Sequence, residues 1–367
     1  MPIAATTTST DLISERLQNH HLVRSSKKDP AAVVAALGAM QAQDFTGAKW
    51  AIGLRAPACH DANVEDDFND GRILRTHVLR PTWHFVAAAD IKWMLALSAP
   101  RVHAANAYYY KQSGLDAKVF ARGCAMISRV LADGESLTRA ELAVALKRAK
   151  IPADGLKLAY IMMHAELEGV ITSGPRRGKQ FTYALLDARA PQARTLDREA
   201  ALAELVTRYF ASHGPATLRD FVWWSGLSAK DAEAGISAVK SKLQQETIDG
   251  RTYWSTPARA ALKAKTSVAL LLPNYDEYLI AYKDRSSVVD SSRSAANIVA
   301  RSGGAFPHHL VIDGILAGSW RRELKGNSVM IEVAPYNKLS PIHTRAVMNA
   351  VDSYGEFLGL PASLTII

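Results

Sequence analysis

The sequence holds 367 residues, 48% of them hydrophobic, with 44 Lys and Arg against 35 Asp and Glu for a formal charge of +9. That length predicts about two to four domains, each able to bury a core, and excludes a chain that is mostly disordered. Cys59 and Cys124 stand alone, which excludes a disulfide framework and fits a reducing cytoplasm; residues 1–10 lack a secretory leader's pattern, and no apolar run reaches the ~18–20 residues of a membrane span.

Residues 1–112 read as a first helix-and-hairpin unit. A helix is predicted over residues 11–17, and Asp29 caps a second, opened by Pro30 at its first position and running to about Met40. Gln41-Ala42-Gln43-Asp44-Phe45 leads into a third helix over residues 46–54. After a charged segment at 65–70, residues 73–79 and 82–86 read as strands joined at Arg80-Pro81, with a helix at 88–97 behind them.

Residues 113–195 repeat the pattern: a helix at 117–131, a capping box of Thr138 with Glu141, a longer helix at 155–168, and strands at 170–172 and 181–184. The tip between those strands carries Arg176, Arg177 and Lys179, three charges that can meet spaced phosphates or equally lie in a solvated turn. Residues 196–265 give the clearest copy. A helix at 198–211 stops at His213-Gly214-Pro215, and Thr217 with Asp220 caps a helix to Trp224. Ser228 with Asp231 then caps a helix whose Ala232, Ile236, Val239 and Leu243 make one apolar stripe, and a hairpin turns at Asp249-Gly250. Three helices and a hairpin are the winged-helix pattern. Residues 266–367 change texture to a small β-rich domain, with strands predicted at 268–272, 278–282, 310–314 and 329–333. The polar stretch at 286–302 reads as a loop or short helix, and a helix at 340–358 closes the chain. The fold class expected is α+β: three tandem winged-helix units plus a C-terminal β-rich region.

Tandem winged helices with a basic balance point to nucleic acid first, although the fold also serves protein interaction. The inventory of catalytic motifs is short: no Walker loop, no His-Glu-x-x-His, no Gly-x-Ser-x-Gly and no clustered Cys and His. The His20-His21 and His308-His309 pairs have no partner at metal spacing, so no metal is expected. Asp276-Glu277 is a carboxylate pair in an apparent strand, where neighbours face opposite ways and only one can enter a given pocket. Gln41-Ala42-Gln43 is weak by itself and gains weight from its place at a helix junction.

Together with Arg80-Pro81-Thr82-Trp83-His84-Phe85, the run from Leu271 through Asp276-Glu277 to Arg285, and Gly314-Ile315-Leu316-Ala317-Gly318-Ser319-Trp320-Arg321, the Gln pair resembles the AlkZ/YcaQ family of winged-helix DNA glycosylases. The resemblance runs from about Asp11 to the C-terminus, and Gln41-Ala42-Gln43 matches the Gln-apolar-Gln signature of its AlkZ branch. It implies a C-shaped basic surface around duplex DNA and hydrolysis of the N-glycosidic bond of N7-alkylguanine, including bulky adducts and interstrand crosslinks from natural genotoxins, without metal or nucleotide cofactor. It implies Gln41 and Gln43 as the water-holding catalytic pair, with Thr82, Trp83 and His84 near the same pocket. Arg80, Arg176, Arg177, Lys179, Arg285 and Arg321 are the DNA-contact candidates. Asp276 with Arg285 reads better as a buried pair than as catalytic groups, and Trp320 as core. A monomeric, monofunctional glycosylase of the cytoplasm and nucleoid, acting in repair or self-resistance, is the expectation. Its rivals are a non-catalytic regulator reading undamaged sequence and, more weakly, an interaction scaffold.

Overall fold

The computed structural model describes residues 9–23, 25–257, 266–289 and 308–367. After a helix over Ser9–Asn19, Asp29 caps the helix Pro30–Leu37 by accepting the Ala32 amide hydrogen. That helix stops three residues short of the predicted Met40 because Gly38 takes a φ of +82°, a backbone setting that favours glycine. Residues Ala39–Gln41 then extend into a strand, and Asp44 restarts the helix Phe45–Gly53 by accepting the Gly47 amide hydrogen. The Gln pair thus lies on a strand and the bend after it, where a helix-to-helix junction is predicted. The charged segment at 65–70 belongs mostly to a helix, Asp61–Asn69, held by Val64 and Phe68 buried one turn apart.

Ile73–His77 and Trp83–Ala87 form the first hairpin, and Ala39–Gln41 adds along the outer edge of Trp83–Ala87, so the last-named strand is central. The following helix, predicted to end near Leu97, runs from Ile91 to Gln112 straight through Pro100. Proline removes a helical hydrogen bond there, yet Leu97, Ala99 and Val102 are buried on both sides of it, and that packing outweighs the loss.

The second unit has helices Ala117–Val130, Arg139–Arg148 and Gly155–Leu167 and a hairpin of Ile171–Ser173 with Thr182–Leu185, with Leu137–Thr138 added at the edge. The capping box of Thr138 and Glu141 forms as predicted. The third has helices Arg198–Ser212, Leu218–Ser225 and Ala229–Val239, with the boxed cap at Thr217 and the Ser228 cap in place. Its hairpin, Gln244–Ile248 with Arg251–Ser255, turns through Asp249 and Gly250 at positive φ, the backbone an Asp-Gly turn selects.

The C-terminal sheet has five strands in the order Ala362–Ile366, Ser328–Pro335, Ile315–Lys325, His308–Ile312 and Ala269–Leu272. The first two pair in parallel, and the helix Pro341–Leu358 crosses between them. Ile315–Lys325 and Ala362–Ile366 are strands that the sequence reading omits. The strand predicted at 278–282 is a helical turn, Glu277–Ile280, because Asp276 caps it through the Tyr278 amide. Of the stretch at 286–302, Ser286–Val288 is a 3₁₀ turn, and residues 290–302 lie outside the described residues.

One apolar cluster joins Val33, Phe45, Trp50, Phe68 and Phe85 to Leu271, Trp320, Ile331 and Phe357, so the first unit and the C-terminal sheet share a core. Trp320 is buried in it, with Nε1 donating to the Leu272 carbonyl at 2.9 Å, as its reading as core requires. A second cluster joins the other face of the first sheet, through Ala39, Leu74 and Val86, to Tyr209, Phe221 and Trp224 of the third unit. Among the described residues no helix is long and apolar enough to cross a membrane.

Candidate active site

The first sheet is core on one face throughout and on the other only part of the way. Met40, Phe85 and Ile73 point into the cluster shared with the C-terminal sheet. Strand alternation sends Thr76, His84 and Gln41 to the opposite face, and register sets these three side by side, Thr76 across from His84 and His84 across from Gln41. Ala42 is fully buried between a half-buried Gln41 at the end of the strand and an exposed Gln43 on the bend after it.

Several groups fix Gln41. Its side-chain Oε1 accepts from Arg80 Nη2 at 3.2 Å, and its backbone amide, facing outward from the edge strand, donates to Glu277 Oε1 at 2.7 Å. Glu277 is buried, and its Oε2 accepts from Trp224 Nε1 at 2.9 Å. Burial opposes its charge, but the facing His213 ring and the Gln41 amide outweigh that and hold the carboxyl below its usual range. His213 Nε2 stands 3.8 Å from Oε2, beyond hydrogen-bond reach, and burial drives that imidazole towards its neutral form. The carboxylate is therefore held chiefly by N–H donors.

His84 is fully buried, with Nδ1 2.9 Å from the Thr82 carbonyl, so the tautomer that donates there leaves Nε2 as an acceptor with no partner among the described residues. Burial, reinforced by nearby Arg80, lowers its pKa to about 3, against the upward pull of Glu277. The imidazole is neutral at physiological pH. Thr82 Oγ1 and Thr76 Oγ1 also lack partners among the described residues. Trp83 faces the other side, 4.5 Å ring to ring from His77 and 4.3 Å under the Arg75 guanidinium, and so acts as packing. Arg75 Nε donates to the Ala42 carbonyl at 2.9 Å, which ties that packing to the backbone between the two glutamines.

The expected pairing of Asp276 with Arg285 does not form. Asp276 instead takes two hydrogen bonds from Arg55, at 2.7 and 2.8 Å, with both side chains wholly excluded from solvent. Arg285 donates through Nε to the Leu279 carbonyl and lies close enough to Arg80 for their charges to oppose. Asp276 and Glu277 sit at a helix start, so both can point inward: Asp276 anchors the turn to Arg55, and Glu277 reaches Gln41.

The other predicted contacts lie apart from this cluster. Arg176 is folded against Phe45 and Phe181 and ion-paired with Glu65 at 3.0 Å, so it joins the second hairpin to the first unit and is not a free tip charge. Arg177 pairs with Glu141 at 2.8 Å and is half exposed, while Lys179 is exposed at the tip. Arg321 is exposed on the C-terminal sheet and paired with Glu332. Sequence reasoning missed Arg55, Arg75, His213 and Trp224, whose roles depend on residues tens to hundreds of positions away. It also expected no clustered metal-ligand residues, yet the fold brings His103, His164 and Glu168 together.

The sequence profile of the DNA glycosylase AlkZ-like family matches residues 34–357, almost the whole chain and all of this cluster. The chain belongs to the AlkZ-like DNA glycosylase family. It is 24% identical over 342 residues to the interstrand DNA cross-link repair glycosylase of Streptomyces sahachiroi, covering 89% of this chain and 91% of that protein. Its fold matches the solved structure of the Streptomyces sahachiroi DNA glycosylase AlkZ with a TM-score of 0.82 at 21% identity, over 99% of this chain and all of that one. Gln41-Ala42-Gln43 lies within the matched residues, on the strand-to-bend segment whose Gln41 amide donates to Glu277.

Proposed function

We propose that this AlkZ-like glycosylase hydrolyses the N-glycosidic bond of N7-alkylguanine in duplex DNA, including bulky adducts and interstrand crosslinks, as a metal-independent, monofunctional enzyme. The observation that carries the reading is the pair of amides at Gln41, which ends an edge strand, and the exposed Gln43 on the bend after it, with a neutral His84 across the sheet from Gln41. Alkylation at N7 makes guanine cationic, so it leaves as a neutral base without a general acid. The protein then has to place water at C1′ and stabilise a cationic sugar. Gln41 and Gln43 oxygens are acceptors suited to hold that water. Glu277, buried one layer behind, supplies fixed negative charge near the developing cation and keeps the Gln41 backbone in place. As the water oxygen bonds to C1′, the bond to N9 breaks, its electron pair neutralises the purine, and the surplus proton of the attacking water is released to solvent.

The three helix-and-hairpin units serve in this reading as winged helices lining a C-shaped surface around the duplex, each chain acting as a monomer. Arg80, Arg285 and Lys179 are the phosphate contacts we favour; Arg177 and Arg321 would have to leave their carboxylates to join them. Repair of genotoxin damage in the nucleoid, with self-resistance as its benefit, is the corresponding biological role.

The test is single-turnover incubation of EDTA-treated protein with a duplex holding one N7-methylguanine, followed by alkaline cleavage of abasic sites. Strand breaks that vanish in the Gln41→Ala/Gln43→Ala variant are expected. Undiminished cleavage by that variant would falsify the site assignment, and cleavage that needs added metal would overturn metal independence.

A further inference from the structure

Away from the glutamines, the helix Ile91–Gln112 that follows the first hairpin packs against the helix Gly155–Leu167 that precedes the second. At this crossing His103 comes from the first helix, and His164 and Glu168 from the end of the other, one turn apart on a single face. One ligand atom from each lies within 4.8 Å of the other two. We propose that these three residues form a zinc site that pins the first helix-and-hairpin unit to the second.

Two imidazoles and a carboxylate are a donor set that zinc accepts, and tetrahedral zinc holds its ligand atoms roughly 3.3 Å apart, within reach of small side-chain rotations here. His103 Nε2 already stands 3.0 Å from Glu168 Oε1. The outer partners of both rings are also in place. His103 Nδ1 meets the Tyr110 hydroxyl at 3.3 Å, and His164 Nδ1 faces Cys124 Sγ at 3.8 Å. With the proton of each ring on Nδ1, directed at those neighbours, the second nitrogen is left unprotonated for a metal. The His164 ring is held flat on Phe120, with centroids 4.0 Å apart. His164 and Glu168 lie at the C-terminal end of their helix, where the backbone dipole favours a cation. The two histidines also line a cleft of about 610 Å³ with Tyr110 and Phe120, through which water can reach the fourth coordination position. The three ligands are distinct from the residues grouped around Gln41.

The test titrates zinc into EDTA-treated, untagged protein against a chromophoric chelator, with cobalt substituted to read geometry from its visible spectrum. Wild-type protein should take up one zinc per chain, give a tetrahedral or five-coordinate cobalt spectrum, and gain thermal stability with zinc but not with magnesium. Glu168→Gln, an isosteric change at a half-exposed position, should weaken uptake at least tenfold, as should His103→Gln. Tyr110→Phe, which keeps all three ligands, should cost about 10- to 100-fold. Unchanged uptake in His103→Gln and Glu168→Gln, with both variants folded by circular dichroism, would overturn the site. So would wild-type affinity no better than theirs.

Discussion

The first and second units share one sheet topology and use it differently. In each, a short strand preceding a helix adds to the outer edge of the hairpin's second strand: Ala39–Gln41 in the first unit and Leu137–Thr138 in the second. The third unit keeps a vestige of this, a single bridge between Ala216 and Trp254. In the second and third units the edge residue passes at once into a helix, and Thr138 and Thr217 spend their side chains and amides on capping boxes with Glu141 and Asp220. In the first unit the chain inserts Ala42 and Gln43 before the cap, and Asp44 takes over the capping. That spacing frees Gln41 and Gln43 from helix initiation. In the proposed reading, one scaffold carries the site where the edge strand and the cap are separated, and remains a scaffold where they coincide.

The anchoring of the two edges differs as sharply, and removing an anchor gives the largest expected effect. The first unit is tied to the C-terminal region by Arg55 and Asp276, fully buried, and the second to its own hairpin by Glu141 and Arg177, about half exposed. Asp276→Ala leaves a buried guanidinium uncompensated and should lower unfolding stability by about 3–5 kcal/mol. Arg177→Ala should change it by no more than about 0.5 kcal/mol, since exposed pairs contribute little. Urea unfolding midpoints of the two variants measure the contrast; equal shifts would mean that the Arg55 pair anchors nothing.

Next in size is the catalytic contrast. Gln41→Ala/Gln43→Ala should slow excision by about 10²-fold or more, the scale of lost water positioning. Thr138→Ala, at the corresponding edge of the second unit, should leave the single-turnover rate alone. A loss of rate in both would place the second edge strand in the site as well.

The third contrast is in pH. His84, held to about 3, and His309, held to about 4, are buried neutral, and burial lowers His20 and His213 in the same direction. A base whose folded pKa is depressed gives its full stability above its unfolded value, about 6.5, and loses it as pH falls from there towards the folded value. Glu277 is a depressed acid, so its contribution is present above about 4.5 and is lost only as pH falls through its lower folded value. The melting temperature should therefore hold from pH 8 to 7, decline below about 6.5, and steepen again below about 4.5. His84→Gln should lessen the first decline, to which His309, His20 and His213 also contribute, and leave the second; an unchanged first slope would show that His84 does not stay neutral in the folded protein.

What could be read in the sequence follows from how local each signal is. The caps at Thr138, Thr217 and Ser228, the Asp249-Gly250 turn and the closing helix depend on residues within a few positions, and all appear as read. The Gln pair could be singled out, but not its strand, because the signal is a single glycine at position 38 whose positive φ breaks an otherwise helical run. Asp276-Glu277 was legible as a carboxylate pair, whereas its partners were not: Arg55 is 221 residues from Asp276 and Gln41 is 236 from Glu277. Arg176 reads as a tip charge until the fold brings Glu65 beneath it. Ile315–Lys325 escaped notice because its buried positions alternate only in its first half before it becomes exposed and charged.

The smallest expected effect separates capping from chemistry most directly. Thr138→Ala, Thr217→Ala and Asp44→Ala each remove a side chain that accepts a helix-start amide hydrogen, and each should cost about 1 kcal/mol, read as a small drop in urea midpoint. Only Asp44→Ala should also slow excision, because the bend that carries Gln43 ends at that cap and loses its fixed end when the helix frays. Asp44→Asn and Asp44→Ser, which keep a capping oxygen, should recover both stability and rate. If Asp44→Ala loses stability without rate, the bend is set by its other ties, the Ala42 amide on the Trp83 carbonyl and the Arg75 bond to the Ala42 carbonyl. The separation of edge and cap would then supply room for the glutamines while the hairpin itself supplies their position.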